Sequence, residues 1–258
     1  MKELTDAQFH RYARHIALDE IGEDGQLKLL QARVLVVGAG GLGSPLLLYL
    51  AAAGIGTLGV VDDDSVDLSN LQRQIVHREG MLGQPKTTSA ASTIATLDPA
   101  IIIEHHPIRL DAGNVDELVA AYDLVADGSD NFTTRYLLND ACIRQRKTLV
   151  SAALMRFEGQ LSTFKPHAGA QHPCYRCIFP DPPPPDLIPR CTEAGILGAT
   201  AGVLGTLQAT EILKEILDIG TSLSGSLMMY DALATSFYKI QVPRNPGCAG
   251  CGGSAGML

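Results

Sequence analysis

Cys174-Tyr175-Arg176-Cys177 and Cys248-Ala249-Gly250-Cys251 each place two thiols two residues apart, the spacing that lets one tight turn aim both sulfurs at a single ion. Together the pairs supply the four thiolates of a closed, tetrahedral Zn²⁺ site with no open position for water. Such a site is structural, a clasp between segments far apart in the chain. Two separate redox dithiols are the competing reading, and they leave the repeated spacing unexplained. A second chemistry-bearing group is Gly38-Ala39-Gly40-Gly41-Leu42-Gly43, a G-x-G-x-x-G turn. Its glycines (Gly38, Gly40, Gly41, Gly43) permit a tight bend and let phosphate approach backbone N–H groups at a helix N-terminus. Asp62, at the end of the following apolar run, is placed to accept hydrogen bonds from ribose hydroxyls. On the turn and Asp62 alone, an NAD-dependent dehydrogenase is the default.

The residues after Asp62 point elsewhere. Ser69-Asn70-Leu71-Gln72-Arg73-Gln74 brings an amide and a guanidinium just past the ribose carboxylate, and Lys86 opens the next helix after Pro85. Arg73 and Lys86 together can hold a triphosphate, whereas a pyrophosphate joining two nucleosides needs mainly the glycine turn. Asp127-Gly128-Ser129-Asp130-Asn131 lies at the carboxyl end of a central strand, where open α/β sheets bind ligands. A carboxylate there suits Mg²⁺, which bridges one or two Asp groups to phosphates. Asp130 taken alone also reads as a turn-forming Asx residue. His77 is the histidine nearest these motifs and reads as structural.

The elements that must position these groups are set by the hydrophobic pattern. Residues 4–30 carry apolar side chains at helical spacing and read as two short helices broken near Gly22 and Gly25. Arg33 to Val37 is a β-branched run suited to a strand buried on both faces. A helix from Ser44 to Ala53, a strand from Leu58 to Val61, a helix, a strand from Ile101 to Glu104, a helix and a strand from Asp123 to Asp127 come after it. Next are a helix from Asn131 and a strand from Thr148 to Ala152. This βαβα order predicts a mostly parallel sheet with helices on both faces. His167 to Pro189, with Pro182 to Pro185 in a row, predicts an exposed crossover loop. A helix from Gly202 to Leu217 and strands at Leu227–Tyr230 and Ser236–Val242 complete the pattern. Cys142 falls within an expected helix and reads as core.

At 258 residues with a formal charge of −8, the chain shows no basic run suited to nucleic acid. It has no apolar stretch long enough for a membrane, and Met1 to Asp6 lack the apolar core of a signal peptide. Six cysteines without an export signal fit a reducing cytoplasm.

With these motifs in this order, the chain resembles the MoeB/ThiF/HesA family, bacterial relatives of ubiquitin-activating enzymes, and most closely its molybdopterin-synthase adenylyltransferase branch. The resemblance runs through Arg11 to Arg14, Gly38 to Gly43, Asp62, Leu68 to Gln74, Gly83 to Lys86 and Asp127 to Asn131. It continues through Glu158 to Gln160, Cys174 to Cys177, Cys191 to Gly195, Met229 to Ala232 and Asn245 to Cys251. It implies an α/β fold, a Rossmann-like sheet with an N-terminal helical arm (1–32), a nucleotide-binding core (33–165), and a crossover loop, helix, late strands and zinc-clasped antiparallel tail (166–258), all one adenylation domain. The implied activity is ATP-dependent adenylation of the C-terminal glycine of a ubiquitin-like sulfur-carrier protein ending in Gly-Gly. Gly41 and its turn, Asp62, Ser69, Asn70, Leu71, Gln72, Arg73, Lys86, Asp130 and Asn131 match the family's ATP-binding positions, Asp130 being the magnesium-linked carboxylate. Arg14 matches an arginine that crosses a homodimer to the partner's nucleotide; from its own surroundings it reads as a solvated helix residue. The two cysteine pairs match structural zinc ligands.

A Cys191 thiolate can attack the adenylate to form a thioester or an acyl disulfide; in the thiamine and tRNA-thiolation branches the matching cysteine joins the sulfur relay, whereas adenylation alone suffices in the molybdopterin branch. A loop cysteine without a chemical role is the alternative. The sequence ends soon after Cys251, so sulfur is expected from a separate persulfide donor. Pro182 to Pro185, and Ala199-Thr200-Ala201 where a proline is usual, depart from the family pattern.

Overall fold

The computed structural model describes residues 3–184 and 195–252. Its frame is β1 (Arg33–Val37), whose side chains alternate between two cores: Val34 and Val36 enter one cluster, Leu35 and Val37 the other. Neither face meets water, which is why the strand reads as a continuous apolar run. Beside it lie β2 (Thr57–Val61) and β3 (Ile102–His106) on one side, and β4 (Leu124–Asp127) and β5 (Thr148–Met155) on the other, all parallel. The sheet continues antiparallel through β6 (Glu158–Phe164), β7 (Ser226–Asp231) and β8 (Ser236–Gln241), giving eight strands in the order β3-β2-β1-β4-β5-β6-β7-β8.

Helices cover both faces. On the first, α3 (Gly22–Gln31), α4 (Gly43–Ala52), α5 (Lys86–Leu97) and α9 (Gly198–Leu217) bring Leu29, Leu46, Leu50, Ile94, Leu204 and Ile212 onto the sheet. On the second, α6 (Val115–Ala120) and α7 (Phe132–Arg144) supply Val115, Val119, Leu138 and Ala141. Cys142 is buried in this second core, where burial pushes its thiol far up. The chain runs β1 to β2 to β3 in one direction and returns to lay β4 on the opposite side of β1, so the order reverses between β1 and β4. A crevice opens there at the carboxyl ends of the strands.

The amino-terminal arm is three helices rather than two: α1 (Asp6–Arg11), α2 (Ala13–Ile16) and α3. Gly22 opens α3 with φ +58°, but Gly25 does not interrupt it. A Cβ at Gly25 would lie 3.2 Å from Leu217, so the glycine is there for close packing against the end of α9. The Tyr12 hydroxyl donates to Asp98 at 3.0 Å and Arg11 Nη1 to the Leu97 carbonyl at 3.2 Å, fastening the arm to the end of α5.

Two segments differ from expectation. Strand β6 gives little apolar signal because two of its buried positions are Ser162 and Thr163. Their hydroxyls are satisfied by the Ser226 carbonyl at 2.8 Å and by Glu211 at 3.0 Å, partners distant in sequence. The Pro-rich stretch is not all exposed loop: it contains α8 (Tyr175–Ile178), with Cys174 and Tyr175 buried. Pro185 and Cys191 lie outside the described residues.

Candidate active site and metal cluster

The crevice between β1 and β4 is a cleft of about 520 Å³. Its floor is the glycine turn, whose fit is tight: a Cβ at Gly43 would stand 1.8 Å from the Gly38 carbonyl oxygen, so only glycine lets α4 start this close to β1. Asp62 accepts from the Ala39 N–H at 2.8 Å and from the Asp64 N–H at 2.9 Å. Burial raises its carboxyl above the usual range, opposed by the charge of Lys86 and these two hydrogen bonds. His77 supports the turn from beneath, with Nε2 2.8 Å from the Ala39 carbonyl and Nδ1 2.9 Å from Ser89 Oγ. Since a carbonyl only accepts, Nε2 carries the proton and Nδ1 accepts from the serine; burial lowers the pKa of the ring and keeps it neutral. Its ring nitrogens are both engaged, as befits a structural histidine.

The cationic wall comes next. Asn70 Oδ1 accepts from Arg73 Nη2 at 3.1 Å and from Gln74 Nε2 at 2.9 Å, so one amide orients both side chains. Lys86, at the first turn of α5, is 5 % exposed and reaches Asp64 at 2.8 Å. On the facing wall, Asp127 and Asp130 part company. Asp127 is fully buried, accepting from Ser129 Oγ at 2.6 Å and Ser151 Oγ at 2.7 Å. Asp130 is exposed and lines the cleft. Asn131 caps α7 by accepting the Thr134 N–H at 2.9 Å.

Of the sequence candidates, the cleft is lined by Gly38, Gly40, Gly41, Asp62, Asn70, Arg73, Lys86, Asp130 and Asn131. Gly43, Ser69, Leu71 and Gln72 stand behind or beside this wall, with Ser69 held by Asp67 at 2.8 Å. Arg14 is exposed on α2 and does not line the cleft of its own chain. Four charged lining residues lie beyond the sequence candidates: Asp63, Asp64, Arg109 and Arg135. Asp64 is visible in the sequence as one of three aspartates after β2. Arg135 lies one turn beyond Asn131 on α7, a position that in sequence looks like any solvated helix charge, yet it is 8 % exposed. No histidine lines the cleft among the described residues.

The four paired cysteines meet beside the last turn of α7, against Ile143. Their sulfurs all lie within 4.8 Å of one another, with Cys174–Cys177 at 3.9 Å, Cys174–Cys248 at 3.6 Å and Cys177–Cys251 at 3.5 Å. A tetrahedron with metal–sulfur bonds of about 2.3 Å has edges of about 3.8 Å, so the set fits a metal ion. Backbone N–H groups of Asn245 and Gly250 point at Cys177 and Cys248, each at 3.4 Å. The hydrogen bond from Cys174 holds the Cys177 thiol below its usual range, and the same contact together with burial holds Cys174 above it. Arg244 spans the Pro166 and Gly169 carbonyls, each at 3.2 Å, and the Cys251 carbonyl, tying the tail to the body.

Residues 12–250 of this sequence match the ThiF family. The chain belongs to that family. This ThiF-family chain is 49% identical over 249 residues to the SAMP-activating enzyme E1 of Haloferax volcanii, covering 96% of this chain and 91% of that protein. It is 47% identical over 250 residues to the sulfur carrier protein adenylyltransferase of Thermus thermophilus, covering 96% and 92%. The adenylyltransferase and sulfurtransferase MOCS3 of Sus scrofa is 49% identical over 250 residues, 96% of this chain but 54% of that longer protein. Among solved structures, E. coli MccB with MccA-N7isoASN aligns at a TM-score of 0.81 and 20% identity, covering 94% of this chain and 75% of that one. E. coli MccB with ATP aligns at 0.77 and 18%, covering 96% and 82%. At such identity these structures establish the fold. They share the ThiF-family chain's sheet and helices.

Proposed function

We propose that this protein adenylates the C-terminal glycine of a ubiquitin-like sulfur-carrier protein, using ATP and releasing pyrophosphate. The observation that carries the reading is the cleft at the strand-order reversal, where Arg73 and Lys86 stand over a glycine turn, with Asp62 and Asp130 beside it. Glycine turn and helix N-terminus receive phosphate, and Asp62 receives the ribose. The Haloferax, Thermus and Sus relatives bear activating-enzyme and adenylyltransferase names rather than dehydrogenase names.

In the reaction, a carboxylate oxygen of the carrier attacks the α-phosphorus of ATP, the bond from that phosphorus to the bridging oxygen breaks, and pyrophosphate leaves with the electron pair. The nucleophile is already ionised, so no base is needed, in keeping with a cleft that no described histidine lines. Catalysis is positioning and charge neutralisation. Arg73, fixed by Asn70, and Lys86, desolvated and paired with Asp64, face the phosphates. Asp130 would hold Mg²⁺, which when bound neutralises charge on the phosphate oxygens, with Asn131 beside it on the nucleotide wall.

The same reading makes the thiolate cluster a structural zinc site, Arg14 a group supplied to the other subunit of a homodimer, and a reducing cytoplasm the setting. Among the described residues no helix is long and apolar enough to cross a membrane. The deciding experiment is exchange of labelled pyrophosphate into ATP with a candidate Gly-Gly carrier. Exchange that requires the intact carrier C-terminus supports the assignment; none with any carrier, or equal exchange when the terminal glycine is removed, refutes it.

A further inference from the structure

One helix joins the thiolate cluster to the cleft. Asn131, Arg135 and Asn139 lie at successive four-residue steps of α7 and so share a face. The first two line the cleft. Asn139, 1 % exposed, accepts the Tyr175 backbone N–H at 2.8 Å, and its neighbour Asp140 takes Arg176 in a two-pronged ion pair at 2.8 and 2.7 Å. Tyr175 and Arg176 are the two residues between Cys174 and Cys177. The metal-binding turn is therefore fastened to the same helix whose first turns wall the nucleotide cleft.

The Tyr175 ring is buried in the second core. It packs edge-on against Tyr136 and Phe164, with centroids at 5.3 and 5.7 Å, and tilted on Phe179 at 4.9 Å. Its hydroxyl is buried without a hydrogen bond of standard geometry, and so is Arg135 Nε. The Tyr175 backbone is pinned to Asn139, one turn along α7 from Arg135, and the Arg135 charge bears on the Tyr175 hydroxyl. The other anchors of Arg135 are the Ser129 carbonyl, at 2.9 Å from Nη2, and the buried Asp127 carboxylate, at 3.9 Å from Nε. An unpaired N–H and an unpaired phenol oxygen against one turn of the same helix in a dry space are costly apart and satisfied by pairing with each other.

We propose that Tyr175 is a positioning residue: its hydroxyl, placed by the Cys174–Cys177 turn, accepts the Arg135 Nε–H and thereby fixes which guanidinium N–H groups face the cleft, so that the metal cluster sets the geometry of the nucleotide site. The guanidinium is a rigid planar fork, so engaging Nε and Nη2 fixes the direction of its remaining donors. A loosened turn frees the tyrosine and lets Arg135 settle onto Asp127. The effect on catalysis rests on the adenylation reading, whereas the Tyr175–Arg135 bond does not.

The test monitors the Arg135 Nε–H by NMR in arginine-labelled, metal-loaded protein, the resonance being assigned by its loss in Arg135→Lys. Tyr175→Phe keeps the ring and removes only the hydroxyl. It is expected to retain the metal, to speed solvent exchange of this proton about ten-fold or more, and to lower kcat for carrier-dependent pyrophosphate exchange about ten-fold. Tyr136→Phe, whose hydroxyl bonds the Phe179 carbonyl at 3.0 Å, should leave the resonance unchanged. Removing the metal with a chelator should reproduce the Tyr175→Phe signal, and this measurement on unmutated protein also serves if the variant does not fold. Equal protection in Tyr175→Phe overturns the bond, and protection untouched by metal removal overturns the coupling. If the unmutated protein exchanges no pyrophosphate with any carrier, the adenylation reading fails while the NMR result still decides the proposal.

Discussion

Asp127 and Asp130 are three residues apart on one strand-to-helix turn, but the first gives its carboxylate to Ser129, Ser151 and the sheet interior while the second opens to the cleft. Their substitutions should therefore separate. Asp130→Ala is expected to melt within about 2 °C of the parent, as surface changes do. It should lose ~100-fold or more in pyrophosphate exchange at saturating ATP, magnesium and carrier, because charge stabilisation at the phosphates is lost. Asp127→Ala should instead cost about 3 kcal/mol in denaturant unfolding, since it strips a buried partner from Arg135. Near-normal exchange by Asp130→Ala would remove that residue from the site. His77 allows a prediction about pH. Its folded pKa lies below the unfolded value of 6.5 because it is buried. Below pH 6.5 the unfolded chain therefore takes up the proton first, and the contribution of His77 to stability, complete above that pH, is lost as pH falls toward the folded pKa. Thermal melts at pH 7, 6 and 5 should show a steeper decline for the parent than for His77→Gln; identical slopes would exclude His77 as a contributor. These residues are not equally legible in the sequence. The glycine turn, Asp62, Arg73 and Lys86 stand out because phosphate binding demands rare residue types at fixed spacing. Arg135 does not, since only the tertiary fold buries it.

At the scale of elements, α7 links cap, cleft and cluster. Its cap, Asn131, lies on the cleft wall, so one side chain serves both helix start and site. Asn131→Ala should cost about 1 kcal/mol and lower the melting temperature by about 2–4 °C. Asn131→Ser keeps a capping oxygen and should recover most of that loss. Exchange that stays low in Asn131→Ser despite recovered stability would mark the amide as a site group, whereas full recovery of both would leave it a cap. Most elements are readable from the apolar pattern because β1, β2 and β4 are enclosed on both faces and α4 starts at the glycine turn. Strand β6 is not, because Ser162 and Thr163 are made tolerable by Ser226 and Glu211, partners that no local window contains. Gly25 misleads for the same reason: its cause is the approach of Leu217 from the end of α9, not a break in helical propensity.

At the scale of the whole molecule, the chain closes on itself twice, through the cysteine cluster and through the amino-terminal arm. The cluster joins residues 174–177 to 248–251, and Arg244 adds a second tie from the tail to the 166–169 turn. Cys248→Ser is expected to lower zinc content well below one ion per chain and to reduce stability by several kcal/mol, since binding energy of a structural ion is folding energy. A metal-free protein of unchanged melting temperature and activity would refute the clasp. The arm raises the larger question of whether one chain makes a complete site. Arg11 and Tyr12 hold α1 and α2 against the end of α5 and leave Arg14 exposed, outside its own cleft. A guanidinium in that position serves the reaction only if a second copy brings its cleft to it, where it could contact phosphate oxygens through two N–H groups. In a two-fold dimer of that kind, Arg14→Ala and Asp130→Ala should each be inactive alone. After mixing under conditions that allow subunit exchange, each mixed dimer keeps one site with Asp130 from one chain and Arg14 from the other. Half of randomly re-paired dimers are mixed and half of their sites intact, so about a quarter of parental exchange activity should return. Proven subunit exchange without recovery would show that Arg14 does not act across an interface, and would leave it a residue of the solvated helix surface.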